Sequence, residues 1–283
     1  MAAGSEGDFD GVHRRLLGVG LAVLLVLAAV LIGVALLGPS LVPHGATRQE
    51  LTARLGSPSS AHWAGTDALG RDQLAVLVLG ARWSLTVGGL ATLLGALVGI
   101  PIGLLAAWQG GVVEAWLMRL VDAATAFPFM VLAVAVIAVL HRGFVPLVVT
   151  LGLGSWLIFA RASYVDCKRI TVLPFVEAAR ALGAGSGRIL GRHVLPNMSS
   201  ALTVIASFTF ADLVIAESGL SFLGLGAPPG VPSWGVMLAD GRSYMESAWW
   251  LIVAPGVAIA FTVILANFLG DALEARFNPR SMQ

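Results

Sequence analysis

The chain has 283 residues, of which 57% are hydrophobic and only 12% charged, with a mean hydropathy of +0.87. Soluble domains carry roughly 25% charged residues, so this chain cannot cover its apolar surface in water, and a solvated enzyme is the first reading excluded. A net charge of +1 supplies no basic field for nucleic acid, and the single cysteine, Cys167, rules out an internal disulfide framework or a Cys-based zinc site. The 34 glycines and 8 tryptophans suit a lipid-embedded helix bundle, where small residues pack helices and Trp marks interfaces. The expected fold is all-α and polytopic.

A helix crosses about 30 Å of hydrocarbon with about 20 apolar residues. Uncharged runs of that order are Leu16–Leu37 (22 residues), Leu85–Trp108 (24), Ala123–Leu140 (18), Phe144–Ala160 (17) and Ala248–Gly270 (23). A sixth, Met198–Ser218, is apolar except for Asp212 and Glu217. The first run follows His13, Arg14 and Arg15, as a secretory signal would. Its 22 residues exceed a signal core of about 7–15, and Gly38-Pro39-Ser40 is a poor cleavage context, so it reads as a retained anchor.

Six spans place both termini on one side. With the ends inside, 11 of the 17 basic residues fall on cytoplasmic segments and 6 on the outer ones, so the positive-inside rule puts both ends in the cytoplasm. The resulting plan is a cytoplasmic tail (1–15, its first 12 residues acidic, Gly-rich and disordered), an anchor helix (16–37), an extracytoplasmic segment (38–84), a membrane domain (80–275) and a cytoplasmic tail (276–283).

In chain order, Asp72–Ser84 reads as a helix leading into the second span. That span carries Ala91, Gly95, Gly99, Gly103 and Ala107 four residues apart, one small-residue face that invites another backbone. Pro101 within it is expected to kink it, and Pro128 to bend the third span. Arg119 and Asp122, at the mouth of that span, are placed to pair with loop residues. Residues 219–235 are too rich in Gly and Pro to lie naked in lipid. They are expected to fold over the outer mouth, with a short re-entrant helix and Trp234 at the interface.

Residues 171–196, TVLPFVEAARALGAGSGRILGRHVLP, carry the most information. Pro174 suits a first helical turn with Thr171 helping to cap it, and Phe175, Ala179 and Leu182 form one apolar stripe. Gly183 suits a left-handed C-terminus, Ser186 a second cap, and Pro196 the entry to span five. The segment is a helix–turn–helix on the inner face: a surface hairpin resting on headgroups, or a docking element for a soluble partner.

The order Glu177-Ala178-Ala179, Gly183 six positions after the Glu, then Leu195-Pro196 resembles the EAA loop of ABC importer permeases, with His193 where that family has Ile. His62 through Asp72 (HWAGTDALGRD) is similar to a segment of the dipeptide/oligopeptide/nickel permeases. So are Glu217–Gly226 with Pro228-Pro229 and Pro232–Gly235, and Asn267–Asp271 with Asn278-Pro279-Arg280. The resemblance covers about residues 62–280 and points to the second ("C") membrane subunit of a peptide importer in a bacterial cell membrane. It implies a type I permease fold and ATPase coupling through Glu177, Ala178, Ala179, Arg180, Gly183, Leu195 and Pro196. It implies a second permease, two cytoplasmic ATPases holding ATP and Mg, an extracytoplasmic substrate-binding protein and a short peptide as cargo, with no cofactor on this chain. Nickel chelates, glutathione and haem are alternative cargoes.

The only lysine, Lys168, lies between Cys167 and Arg169, so no Walker A motif exists and the energy must come from another chain. A carboxylate facing lipid costs about 2.5–3.5 kcal/mol at mid-bilayer. Asp212 and Glu217 should therefore face a wet pathway, a partner subunit or hydrogen-bonding groups. With Ser221 and Phe222 they are the candidate pathway or gate residues, a structural role being favoured for Glu217. His13, His44, His62, His141 and His193 show no metal-ligand spacing. Ser155 after Gly154 suggests an intramembrane hydrolase, but no membrane-embedded His can activate it. A non-transport membrane scaffold is the remaining rival.

Overall fold

In a computed structural model of the chain, residues 6–42 and 48–277 are described, with 6–17, 39 and 41 described by backbone alone. His13, Arg14 and Arg15 are therefore seen only as backbone, and His44 and the Asn278-Pro279-Arg280 motif lie outside the described residues. The described residues form helices α1 (Glu6–Leu41), α2 (Gln73–Gln109), α3 (Gly111–Thr125), α4 (Phe129–Leu140) and α5 (Phe144–Thr171). They continue as α6 (Pro174–Ala181), α7 (Ser186–Ile189), α8 (Leu195–Phe222), α9 (Trp234–Gly241) and α10 (Trp250–Phe277). Helix α1 begins at Glu6, so residues 6–12, expected to be disordered, are helical and run on into the first span's helix.

Among the described residues, five helices are long and apolar enough to cross a membrane, or six if the pair α3 and α4 counts as one broken span. That pair stands where one span bent at Pro128 was expected over Ala123–Leu140, and the bend is sharp enough to split it into two helices. The chain bends 83° between the two helices. Pro128 is extended (ψ 114°) and is the N-cap of α4, whose 12 residues reach only about 18 Å. A proline ring blocks the preceding turn, so the break falls at the Phe127-Pro128 step. Pro101, by contrast, lies within one continuous helix.

Helix α2 is the spine. Asp72 caps it, accepting from the Ala75 amide at 3.0 Å, so the expected lead-in helix and the span are one 37-residue rod. Its small face lies against α5. A Cβ on Gly95 would overlap Ser155 Oγ, one on Gly99 the Trp156 carbonyl, and one on Gly103 Ser163 Oγ and the Ala160 carbonyl. Helix α5 answers with its own small residues, Gly152, Ser155, Ala160 and Ser163, so two backbones approach where bulk would hold them apart. Ser155, the hydrolase candidate, donates to the Gly152 carbonyl at 3.0 Å and is buried against this ladder.

The Gly-Thr-Asp…Gly-Arg-Asp segment folds into a clasp before α2. Asp67 accepts from the Leu69 and Arg71 amides at 2.8 and 2.9 Å and from Arg71 Nε at 2.6 Å. Gly70 has φ +72°, and a Cβ there would overlap Glu50 backbone, so this position requires glycine twice over. Trp250 Nε1 donates to the Thr66 carbonyl at 3.3 Å and ties the clasp to α10. The segment's hydrogen-bonding residues thus build a structural brace at the α9 end of the bundle.

Candidate functional site

The inner-loop hairpin forms at the opposite end. Pro174 occupies the first position of α6. Thr171 does not cap it: its hydroxyl donates to the Lys168 carbonyl at 3.1 Å, and Leu173 is the N-cap. Gly183 has φ +81°; its amide donates to the Arg180 carbonyl at 2.9 Å, while the Ala184 amide donates to Ala179 at 3.0 Å. These two bonds form a Schellman motif, which ends the helix on a left-handed residue. Ser186 makes no capping bond, Gly185 being the N-cap of α7. Leu190–Val194 then opens into a π-helical turn before Pro196. A widened turn relieves the clash between a proline ring and the carbonyl four residues back.

The apolar stripe is corrected by one residue. Val176 is fully buried, packed with Ile189, Val194, Met198 and Cys167, whereas Phe175 is 41% and Leu182 89% exposed. Eight residues make barely two turns, so the packing of the following turn decides which face is inner. Glu177, Ala178, Leu195 and Pro196 are exposed and Ala179 is half-buried. The Arg180 guanidinium lies 4.8 Å from the centroid of the Trp108 ring. His193 packs against Phe175, ring centroids 6.2 Å apart, filling the site where the family has Ile. The exposed face of the hairpin is therefore slender, apolar at Phe175 and Leu182, and acidic at Glu177.

The expected gate residues separate. Glu217 is wholly buried and accepts from Ser221 Oγ at 2.7 Å and Ser218 Oγ at 3.4 Å, with Ser84 and Trp83 flanking the carboxylate. Ser84 also accepts from the Trp234 amide at 3.3 Å, and Ser221 from the Ala227 amide at 3.3 Å. Glu217 and Ser221 thus form a polar hub joining α2, α8 and the loop before α9. Trp234, expected at an interface, is 2% exposed and donates from Nε1 to the Leu77 carbonyl at 3.0 Å. Sequence alone cannot show that buried acceptors await it. Phe222 sits half-buried with the Arg242 guanidinium 5.8 Å from its ring centroid. Only Asp212 is exposed, between Phe208 and Ile215 on one face of α8, with no bonded partner among the described residues.

Replacing Glu217 with alanine strips Ser84, Ser218 and Ser221 of their acceptor. The expected cost is about 1–3 kcal/mol, read as a lower melting temperature in detergent, with Glu217→Gln retaining most of the stability.

At the α6 end, Asp122 pairs with Arg161 of α5, and Lys168 Nζ lies 2.7 Å from Glu114 Oε2. Arg119 makes no ion pair among the described residues. At the α9 end, a cavity of about 460 Å³ opens between the clasp and α9, lined by Asp67, Arg71, Gln73, Asp240, Arg242 and Tyr244 among others. Burial pushes the Asp240 carboxyl up, and Arg71 opposes the shift.

Residues 99–283 match the family model described as binding-protein-dependent transport system inner membrane component. The chain belongs to this family. Its relatives include the glutathione transport system permease protein GsiD of Pectobacterium atrosepticum, 38% identical over 251 residues, 88% of this chain and 83% of that protein. The dipeptide transport system permease protein DppC of Bacillus subtilis is 35% identical over 87% of this chain and 77% of its own length. A putative peptide transport system permease protein of Brucella suis is 35% identical over 95% of this chain and 89% of its own length. Among solved structures, the MetNI methionine ABC transporter in inward-facing conformations shares the fold. Its TM-score is 0.59 at 21% identity, over 72% of this chain and 97% of that chain. The chain is thus a multi-pass membrane transport component, and its helix order fits the type I permease fold expected from the loop motifs.

Trp108, Val176 and the Ser84 hub escaped sequence reasoning. Trp108 carried one signal, an aromatic at the end of an apolar run.

Proposed function

We propose that this chain is one of two membrane subunits of an ATP-driven importer for short peptides, and that α6 seats on a cytoplasmic ATPase. The exposure of Phe175, Glu177, Ala178 and Leu182 on a helix anchored by Val176 carries this reading. An apolar tip with slim flanks suits a cleft, and the chain has no nucleotide motif of its own. A second permease, two ATPases binding ATP and Mg, and an extracytoplasmic binding protein complete the assembly. Both termini lie in the cytoplasm of a bacterial cell, on the side of α6. Closure of the ATPases displaces α6, and the helices switch access between outside and inside. Glutathione, itself a tripeptide, is the second cargo reading, favoured by the 38% identical relative whose name states it.

Asp212 faces either the pathway or the second permease, since an unpaired carboxylate against lipid is costly. If it meets a peptide's ammonium end in the pathway, Asp212→Asn lowers peptide uptake while binding-protein-stimulated ATP hydrolysis persists. Equal uptake by wild type and Asn variant would remove it from the pathway. The whole reading is tested by reconstituting the complex and measuring binding-protein-dependent ATP hydrolysis against a peptide panel that includes glutathione. A detergent pull-down with an intact loop that recovers no ATPase overturns it.

A further inference from the structure

We propose that Arg180 and Trp108 form the joint through which movement of α6 reaches α2, so that Arg180 acts inside this chain and not on the ATPase. The inference rests on the reading of α6 as the ATPase-facing helix. The Arg180 guanidinium stands 4.8 Å from the Trp108 ring centroid, inside the range of about 6 Å at which a cation is held over an indole face. Trp108 is the penultimate residue of α2, and it packs on the cluster that holds Val176, Ile189 and Val194. Helix α6 has eight residues and one fully buried side chain, Val176. Its grip on the bundle therefore runs through Val176, the half-buried Ala179, the Phe175–His193 contact and the Arg180 stack, of which only the last reaches the end of α2 through a charged group.

What lies beyond Trp108 gives the contact its reach. The glycine ladder locks α2 to α5, so a push at Trp108 moves two helices together. At the far end, Ser84 of the same helix meets the Trp234 amide and flanks Glu217. From Trp108 to Ser84 the rod spans about 36 Å at 1.5 Å per residue. One helix thus connects the α6 hairpin to the loop at the other end of the bundle. Arg180 and Trp108 are positioning residues in this scheme.

The test uses the full complex in proteoliposomes, with substrate uptake and ATP hydrolysis measured in the same vesicles for Trp108→Ala, Trp108→Phe and Arg180→Met. Trp108→Ala and Arg180→Met are expected to keep the ATPase bound yet move about two- to fivefold less substrate per ATP, the factor a stack of this exposure is worth. Trp108→Phe restores most of the ratio, and the Trp108→Ala/Arg180→Met double variant is no worse than either single one. Unchanged uptake per ATP in Arg180→Met overturns the proposal. So does loss of the ATPase from Arg180→Met alone, which would place Arg180 in the partner contact. Arg180 is exposed, so its variant decides the matter even if Trp108→Ala does not assemble. A wild-type complex that recovers no ATPase would instead defeat the functional reading itself.

Discussion

Gly99→Leu is expected to lower the melting temperature of the detergent-solubilised protein by about 5–10 °C, from an overpacking cost of about 2–3 kcal/mol at roughly 2–4 °C per kcal/mol for a chain of this size. A Cβ at Gly99 would already overlap the Trp156 carbonyl and sit 2.7 Å from Phe159 Cβ. The obstacle is largely backbone of α5, which cannot rotate away as a side-chain tip can. The ladder is also repeated at Gly95 and Gly103, so wedging its middle strains both neighbours. Gly89, on the same helix, has nothing within 4 Å of its Cβ position. Gly89→Leu is therefore the control and should melt like the wild type. Equal melting of both variants would show that the α2–α5 contact does not hold the bundle together.

The second large effect is functional. Gly183→Arg is expected to leave the complex assembled and its transport uncoupled, with peptide uptake falling to background while the ATPases still copurify. Gly183 sits at φ +81°, where a side chain costs about 1–2 kcal/mol. Nothing lies within 4 Å of its Cβ position, so the arginine meets no core and the fold survives. The turn loses the conformation that its Schellman bonds require, and α6 is no longer presented at a fixed angle to α7. Normal uptake by this variant would remove the loop from the coupling path and leave α6 as a surface hairpin on headgroups.

The inner loop shows where sequence reasoning reaches and where it stops. Pro174, the left-handed Gly183 and the Pro196 entry were legible because each is a local backbone requirement. The buried face of α6 was not, because a two-turn helix has no reliable periodicity and the choice of Val176 over Phe175 depends on Ile189 and Val194 arriving from the next turn. The same division holds for the carboxylates. That Asp212 and Glu217 needed partners followed from the cost of charge in hydrocarbon. That Ser84, Ser218 and Ser221 surround Glu217 while Asp212 stays exposed depended on how α2 and α8 rotate against one another.

The third span marks the boundary most plainly. Pro128 announced a bend from the sequence, but a single apolar run cannot reveal an 83° break that leaves a 12-residue helix. By itself the sequence determined an all-helical, lipid-embedded chain with a hairpin between its fourth and fifth apolar runs, because hydropathy, proline and glycine act within a few residues. Only the tertiary structure decided that Gly95, Gly99 and Gly103 meet α5, that Glu217 is a buried hub, and that Arg180 turns back onto Trp108. Those outcomes depend on which surfaces distant helices bring together, and no local pattern encodes that.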